Sequence, residues 1–351
     1  MPLTPRVLLI ALLLCAGVAA SLLYLKGEPP GGKSVVVYTS VDAEFALPLF
    51  EKFTKETGIT VVPRTDDEAS KTTAMAERLL AMQGRPDGDV FWNSELSFTQ
   101  VLAGKGALEP YASANAAAIP AEFRDVSGRW TGFGCRARVL IFNTAKVKRA
   151  DAPKTLEELA DPKWKGRVTI AKPLFGTTRS HLVALVLALG EEKAFKLFRA
   201  WRENGVVISE SNGDVRNRVA DGNFDIGLTD TDDVFAAMDR KKPVDFVVPG
   251  QTAELPGAYV IPNTVAILKN SPHPSEARTF VDFLLRPETE GWLAEQGARQ
   301  IPVRDVPQAS SLPENLRMEK LKPVQVDAEK LAAQVLPLGE KIYRVLLGEE
   351  K

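Results

Sequence analysis

Short runs of β-branched residues alternate with segments of helical periodicity along most of this chain. Residues 35–38 predict a buried strand, and apolar residues then recur at helical spacing from Phe45 until Gly58 ends the helix. Strands that alternate with helices favour an α/β fold with mixed, mainly parallel sheets flanked by helices. The pattern predicts further strands at 59–62, 89–92, 139–142, 168–170, 206–208, 225–228, 244–248, 259–261 and 265–268, helices at 71–82, 178–189, 192–203, 213–220, 275–285 and 288–296, and an amphipathic helical region from 312 onward.

The strand and helix pattern occurs as two successive sets, at residues 35–92 and from 139 onward. A chain of 351 residues is expected to form about two domains. Hydrophobic residues make up 45% of the chain and charged residues 25%, which allows a sizeable core beneath a soluble surface. The 44 basic and 45 acidic residues give a formal net charge of -1, so the basic face of a nucleic-acid-binding protein is not expected.

The N-terminal segment has the pattern of an export signal. Arg6 precedes the apolar run 7–25, which a Pro/Gly-rich stretch follows directly. Cleavage after the small residue Ala20 is the first interpretation, and an uncleaved membrane anchor is the second because the run is nearly long enough to span a bilayer. Lipidation of Cys15 ranks third because a bulky residue precedes it. We therefore predict that residues 1–33 are a signal peptide or anchor plus linker, and that the rest lies in the periplasm or another extracytoplasmic space.

Few residues in the sequence suit catalysis or zinc binding. Cys135 is the one cysteine outside the N-terminal segment, and with only His181 and His273 the chain lacks a Cys/His zinc cluster. The sequence also lacks a phosphate-binding loop motif and an evident nucleophile–base pair. It therefore predicts a protein that is not an enzyme, with a hydrolase or transferase on a similar fold as the lowest-ranked alternative.

Polar side chains follow five of the predicted strands. Ligands of α/β folds bind beyond the carboxyl ends of strands, so these residues are the candidate site. Their carboxylates suit a hard metal ion or an ammonium group. Such residues also favour helix N-termini, which makes helix capping the alternative for Asp230–Asp233. The predicted cation-binding residues are Asp42, Glu95, Asp230, Asp232 and Asp233.

A second group of residues suits an anion. The turn Gly176-Thr177-Thr178 opens an apolar helix, and helix N-termini bind anions through free N–H groups. Arg136 and Arg138 are two apart in a strand and therefore share a face. A guanidinium beside the turn would suit a phosphate, carboxylate or carbonate, whereas an ordinary ion pair with a carboxylate is the alternative. The predicted anion-binding residues are Ser40, Arg136, Gly176, Thr177, Thr178 and Asn212.

The order of segments from about residue 35 to 307 resembles that of periplasmic substrate-binding proteins of ferric-iron-type ABC importers, which are type II two-lobed proteins. The matching segments are 37–40, 50–59, 89–92, 130–133, 136–139, 153–159, 163–168 and 283–285. The resemblance implies that residues 34–135 and 262–308 form lobe 1 and that 136–261 and 309–351 form lobe 2. It also implies a two-strand hinge near Cys135 and 259–262, about which the lobes close.

The resemblance extends only partly to the ligand residues. Iron-binding members typically present two adjacent tyrosines after the strand that ends here at Leu228, where this sequence has Asp232-Asp233. Asp42 matches a histidine found in some members, and Glu95 matches the acidic ligand of the family. The positions that hold the companion anion match Arg136, the 176–178 turn and Asn212.

The residues and the resemblance together predict the solute-binding subunit of an ABC importer. The predicted protein is a monomer that captures a metal ion, Fe3+ or another, with a synergistic anion in the inter-lobe cleft and delivers it to an inner-membrane permease. The alternative ligand is a small organic solute of both charge signs, such as a phosphonate or sugar phosphate. Both predictions require that Glu95, Arg136 and Asp232 surround one crevice.

Overall fold

A computed structural model describes residues 32–65, 71–82 and 84–350, and the side chains of residues 71 and 72 are outside the description. The predictions for the N-terminal segment, including cleavage after Ala20 and lipidation of Cys15, lie outside the described residues. Among the helices that the structure describes, none combines the length and the apolarity needed to cross a bilayer.

Ten strands and ten α-helices alternate along the described residues, as the sequence pattern predicts for an α/β fold. The strands are β1 (Ser34–Thr39), β2 (Thr60–Arg64), β3 (Val90–Asn93), β4 (Leu108–Glu109), β5 (Thr131–Asn143), β6 (Val168–Ala171), β7 (Val207–Ser209), β8 (Ile226–Asp230), β9 (Val244–Val247) and β10 (Val260–Leu268). The helices are α1 (Ala43–Thr57), α2 (Lys71–Ala81), α3 (Ser97–Gly104), α4 (Gly176–Leu189), α5 (Glu191–Glu203), α6 (Asn212–Ala220), α7 (Thr231–Asp239), α8 (Pro274–Leu284), α9 (Pro287–Glu295) and α10 (Ala328–Leu347).

The strands form one continuous mixed sheet in the order β2-β1-β3-β10-β5-β8-β6-β7, with β4 beside β10 and β9 beside β5. β1 pairs in parallel with β2 and β3, and β6 pairs in parallel with β7 and β8. We call β1–β4 and β10, with α1–α3, α8 and α9, the first half. The second half comprises β6–β9 with α4–α7 and α10.

Strand β5 connects the two halves. Its 13 residues pair with β10 as far as Ala137 and with β8 from Arg138 onward. The backbone thus passes between the halves near the predicted hinge, and the lobe boundaries themselves remain a prediction. The sequence predicted two strands where β10 is one, because Pro262 is accommodated by a register shift beside it rather than by a break.

Several other segments differ from the sequence-based expectation: the two-residue strand β4 was not predicted, and β5 begins at Thr131 rather than at 139. The short helix α3 was not predicted. The region from 312 to 327 is not a continuous helix but contains short 3-10 turns and an extended stretch, and α10 begins only at Ala328. Pro313 and Pro323 have no N–H to donate to a helix, and the backbone N–H of Val324 donates instead to the carbonyl oxygen of Ala258 at 2.8 Å.

Two large clusters of buried apolar residues form most of the core: the first extends from the first half through β5 into α6, α7 and β9, and the second lies mainly in the second half. The first is rich in aromatic rings, including Phe53 and Phe280, whose ring centroids lie 5.0 Å apart in an edge-on arrangement. The second lies between α4, α5 and α10 and includes Phe198 and Trp201. The polar strand ends lie at the junction of the two halves, whose apolar core is continuous through the first cluster.

Candidate ligand-binding site

A polar cavity of about 150 Å³ opens at the carboxyl ends of strands from both halves. Its lining includes residues that follow β1, β3, β6, β7 and β8. The predicted site residues Ser40, Asp42, Arg136, Gly176, Thr177, Thr178, Asn212, Asp230, Asp232 and Asp233 all line it, whereas Glu95 does not. The structure therefore brings ten of the eleven predicted residues around one crevice, and their individual ligand roles remain predictions.

Three carboxylates form the acidic side of this cavity. Asp230 ends β8, and Asp232 and Asp233 lie in the first turn of α7. Each contributes an oxygen that lies within 4.8 Å of those of the other two. Asp230 occupies the N-cap position of α7, but its side chain makes no capping hydrogen bond. Helix capping therefore does not explain the position of the Asp230 carboxylate, and the cluster has the oxygen ligands that a hard cation prefers.

Burial and mutual repulsion raise the pKa values of Asp232 and Asp233. Burial, together with the charges of Asp232 and Asp230, raises the pKa of Asp233 to about 7. Burial also raises the pKa of Asp232, because it outweighs the attraction of the nearby Arg136. Asp232 and Asp233 therefore bind protons more readily than isolated carboxylates would.

A guanidinium from β5 faces the acidic cluster. Arg136 Nη1 lies 3.0 Å from Asp232 Oδ2 and 3.7 Å from Asp230 Oδ2. Its Nη2 donates to the carbonyl oxygen of Ser94 at 2.5 Å, so this side chain also reaches the first half. The ion-pair alternative thus describes Arg136 in the structure. Because Arg136 also lines the cavity, the same guanidinium is positioned to contact an anionic group.

Arg138 lies beneath the cavity at the centre of a buried polar network. Its side chain is fully buried, and Nη1 lies 2.7 Å from Asp230 Oδ1 and 3.0 Å from Asn212 Oδ1. The Thr177 hydroxyl donates to Asp230 Oδ2 at 2.8 Å, and the Thr178 hydroxyl donates to Asn212 Oδ1 at 3.1 Å. These contacts tie the start of α4 to β8 and α6. The sequence placed Arg138 on the same face as Arg136 but did not include it in the site.

The start of α4 supplies backbone donors at the edge of the cavity. Gly176 has a φ of 54°, and Phe175 occupies the N-cap position without a capping side-chain bond. The first N–H groups of a helix have no intrahelical acceptor, and they attract anions. Lys172 also lines the cavity, with Nζ 3.1 Å from Glu210 Oε2. The cavity lining therefore contains both positively and negatively charged groups.

Two phenylalanines line the same cavity from opposite halves. Phe45 comes from α1, and Phe175, which is 37% exposed, precedes α4. Sequence reasoning missed both, because it searched only for polar residues at strand ends. Both phenylalanines lie next to predicted polar residues in the sequence, and this proximity was the signal that could have identified them.

Glu95 lies behind the cavity wall. Its carboxylate accepts the backbone N–H groups of Ser97 at 2.7 Å and Phe98 at 3.0 Å, and it is only 2% exposed. The Ser180 hydroxyl donates to the same carboxylate at 3.3 Å. Because α3 was not predicted, its unsatisfied N–H groups could not be anticipated as partners for Glu95. The three-residue crevice that the sequence predicted thus contains Arg136 and Asp232 but not Glu95.

Comparisons with known proteins agree with this architecture. The family described as bacterial extracellular solute-binding protein matches residues 89–326. The chain is similar to iron uptake protein A1 of a Synechocystis strain, with 27% identity over 322 residues that cover 87% of this chain and 88% of that protein. It is 28% identical over 269 residues to the major ferric iron-binding protein of Neisseria meningitidis serogroup B, which covers 75% of this chain and 79% of that protein.

A solved structure shows the same fold. Iron-bound HitA from Pseudomonas aeruginosa is 26% identical and superposes with a TM-score of 0.79, covering 88% of this chain and 99% of that chain. The predicted resemblance and the two-lobed α/β fold class are confirmed. The chain belongs to the bacterial extracellular solute-binding protein family.

Proposed function

We propose that this chain is the periplasmic capture subunit of an ABC importer and that it binds ferric iron together with a companion anion. The observation that carries the proposal is the group of three aspartate oxygens within 4.8 Å of one another, beside Arg136 and the start of α4. Ferric iron is a hard cation, which oxygen ligands suit. The relatives named as iron uptake and ferric iron-binding proteins support the same cargo.

The ion pairs in the cavity explain why an anion must accompany the metal. Arg136 pairs with Asp232, Arg138 pairs with Asp230, and Arg216 Nη1 lies 3.3 Å from Asp233. A bare cation would have to displace these guanidinium groups. An accompanying anion gives Arg136 and the α4 N–H groups a new partner, which releases the Asp232 carboxylate for the metal.

The three aspartates have different expected roles. Asp230 also holds Arg138, which is fully buried, so we assign it to supporting the site in addition to its place in the acidic cluster that attracts the metal. Asp232 and Asp233, with Asp42 from the opposite half, are the proposed metal ligands. Among the described residues that line the cavity there is no tyrosine, so phenolate-to-iron colour is not expected from the protein ligands. Iron binding therefore has to be measured by calorimetry and metal analysis.

A second candidate ligand is a small organic solute that carries both charge signs, such as an aminoalkylphosphonate. The paired charges of the lining and the apolar rings of Phe45 and Phe175 favour it, because both would match a zwitterion with a carbon body. In that arrangement Arg136 and the start of α4 bind the anionic head, and the aspartates bind the amine.

Titration calorimetry of the purified protein separates these ligands. Ferric citrate, ferric phosphate and 2-aminoethylphosphonate are titrated in turn, and metal analysis follows dialysis. We expect ferric binding in the wild type and a loss of about 100-fold or more in Asp232→Asn, since a charge-assisted contact is worth about 2–3 kcal/mol. Asp245→Asn is the matched control, because Asp245 pairs with Arg149 away from the cavity. Binding of the phosphonate without binding of iron would establish the second candidate instead.

The remaining parts of the proposal concern the route of the cargo. We propose that residues 1–33 direct export, that the protein acts as a monomer and that it delivers its ligand to a membrane permease. We propose no catalytic step: of the two histidines, neither lines the cavity in the described residues, and His181 is buried with its pKa well below the usual range because of desolvation and the nearby Arg138.

A further inference from the structure

Two consecutive residues of α4, Arg179 and Ser180, reach across the junction between the halves. They directly follow Thr177 and Thr178, whose hydroxyls belong to the network of Arg138 in the second half. The first turn of α4 is therefore bonded on one side to the second half and on the other side to the first half. We call the contacts of Arg179 and Ser180 with the first half the α4 seam.

Arg179 makes the first part of the seam. Arg179 is only 5% exposed, and its Nη2 donates to the Thr73 hydroxyl of α2 at 2.8 Å. Its guanidinium lies 4.9 Å from the ring centroid of Phe98 in α3. Thr73 also lines the cavity. Arg179 therefore connects the side of the cavity formed by α2 to the side formed by the start of α4. The carboxylates of Glu77 and Glu95 attract its charge from the first half.

Ser180 makes the second part. Its hydroxyl lies 2.9 Å from the Ser97 hydroxyl and 3.3 Å from Glu95 Oε2, and all three residues are buried. Glu95 is adjacent in sequence to Ser94, whose carbonyl oxygen accepts a hydrogen bond from Arg136. Glu95, which the sequence predicted as a metal ligand, thus also connects the two halves.

The C-terminal helix fixes the conformation of Arg179 from outside. Gly339 of α10 lies against the arginine stem, and a Cβ at this position would lie 2.6 Å from Arg179 Cδ and 2.8 Å from Cγ. A side chain at this position would therefore force the Arg179 stem to move, because real Cβ atoms do not approach other carbons so closely. Gly339 does not line the cavity, so a substitution there can perturb the α4 seam without changing a residue of the binding site.

We propose that Arg179 and Ser180 are positioning residues that hold the ligand-facing start of α4 against the first half and thereby slow ligand release. Every partner in the seam is a protein atom, so the contacts join the halves without help from a ligand. Opening the cavity requires that Arg179 leave Thr73 and Phe98 and that Ser180 leave Ser97 and Glu95. The inference concerning release depends on the proposed function, whereas the inference concerning closure does not.

Three variants test the seam. Arg179→Met removes the charge and the donors but keeps the apolar stem, Ser180→Ala removes one hydroxyl, and Gly339→Ala displaces Arg179 without changing any seam residue. Arg179→Lys retains a donor and the charge and should restore part of the effect. Arg199→Met is the matched control, because Arg199 pairs with Glu350 on the surface of α5.

Two measurements use these variants. Small-angle scattering and amide hydrogen exchange in the absence of ligand should show a larger radius of gyration and faster exchange in α3 and the first turn of α4 for the three seam variants. Stopped-flow release of iron, with ferric citrate as the bound probe, should be about tenfold faster or more for Arg179→Met, as expected for loss of a buried charge-assisted hydrogen bond. Arg199→Met should match the wild type in both.

Each result supports or contradicts the proposed role of the α4 seam. Unchanged scattering, exchange and release in Arg179→Met and Ser180→Ala would overturn it. If Arg179→Met does not fold, Ser180→Ala and Gly339→Ala decide the outcome by the same measurements. If ferric citrate does not bind to the wild type, the proposed cargo is wrong, and the scattering and exchange arms still test the seam.

Discussion

Replacement of Asp233 by asparagine should stabilise the protein at pH 8 and have little effect at pH 4. The folded protein raises the pKa of Asp233 from 3.8 to about 7 through burial and the charges of Asp232 and Asp230. Between these two pH values the folded state holds a proton that the unfolded state has released. The free energy of unfolding therefore falls as the pH rises toward 7, and above 7 the whole loss is present.

The size of the effect follows from this change in pKa. One pKa unit corresponds to about 1.36 kcal/mol, so ionised Asp233 costs the folded state about 4 kcal/mol above pH 7. Asparagine removes this cost, which already includes the attraction to Arg216, whose Nη1 lies 3.3 Å away and which lowers the pKa. It retains an oxygen for the Thr229 hydroxyl, which donates to Asp233 at 2.7 Å. The expected gain is therefore up to about 4 kcal/mol at pH 8.

Urea unfolding of the ligand-free protein at pH 4 and pH 8 measures this gain for wild type and Asp233→Asn. Asp245→Asn serves as the control, since Asp245 is a partly exposed carboxylate on β9 paired with Arg149. The reasoning is refuted if Asp233→Asn is less stable than the wild type at pH 8, or if its gain is the same at both pH values. A stabilised variant that also binds iron more weakly would show that the cluster is maintained for binding at the expense of stability.

Four further outcomes are expected. Arg138→Met should lower the free energy of unfolding by about 3–5 kcal/mol in urea, because it leaves the buried Asp230 carboxylate without its partner; a loss below 1 kcal/mol would contradict this. Glu95→Gln should weaken the cap of α3 by about 1 kcal/mol yet bind ferric citrate within threefold of the wild type in calorimetry, whereas abolished binding would restore Glu95 as a ligand. Phe175→Ala should lower the affinity for ferric citrate more than that for ferric phosphate, because only the former has a carbon body to contact the ring; equal effects would argue against that contact. Cys135 should react with N-ethylmaleimide only in denaturant, because burial raises the pKa of its thiol and shields it; rapid labelling of the native protein would contradict its position in the core.

The alternation of strands and helices was sufficient to predict the fold class and most elements. The carboxyl ends of parallel strands meet at one edge, so the polar residues after β1, β6, β7 and β8 could be expected to converge. The structure brings Asp42, Thr177, Asn212 and Asp230 around one cavity, as this rule predicts. Local periodicity and a general rule of α/β folds were enough for this part of the site.

The direction of individual side chains could not be predicted in the same way. Glu95 turns inward because α3 begins two residues later, and a short helix of mixed composition gave no clear periodic signal. The buried pair of Arg138 and Asp230 depends on the register between β5 and β8, which places these two residues opposite each other. A register between distant strands follows from long-range packing and not from the local pattern.

The position of α10 determines when the chain can finish folding. Leu331, Ile342 and Leu346 of this helix complete the second core, and the helix packs against α3, α4 and α5. During synthesis these residues leave the ribosome after the other elements of the second half, so the second core stays incomplete until α10 has emerged.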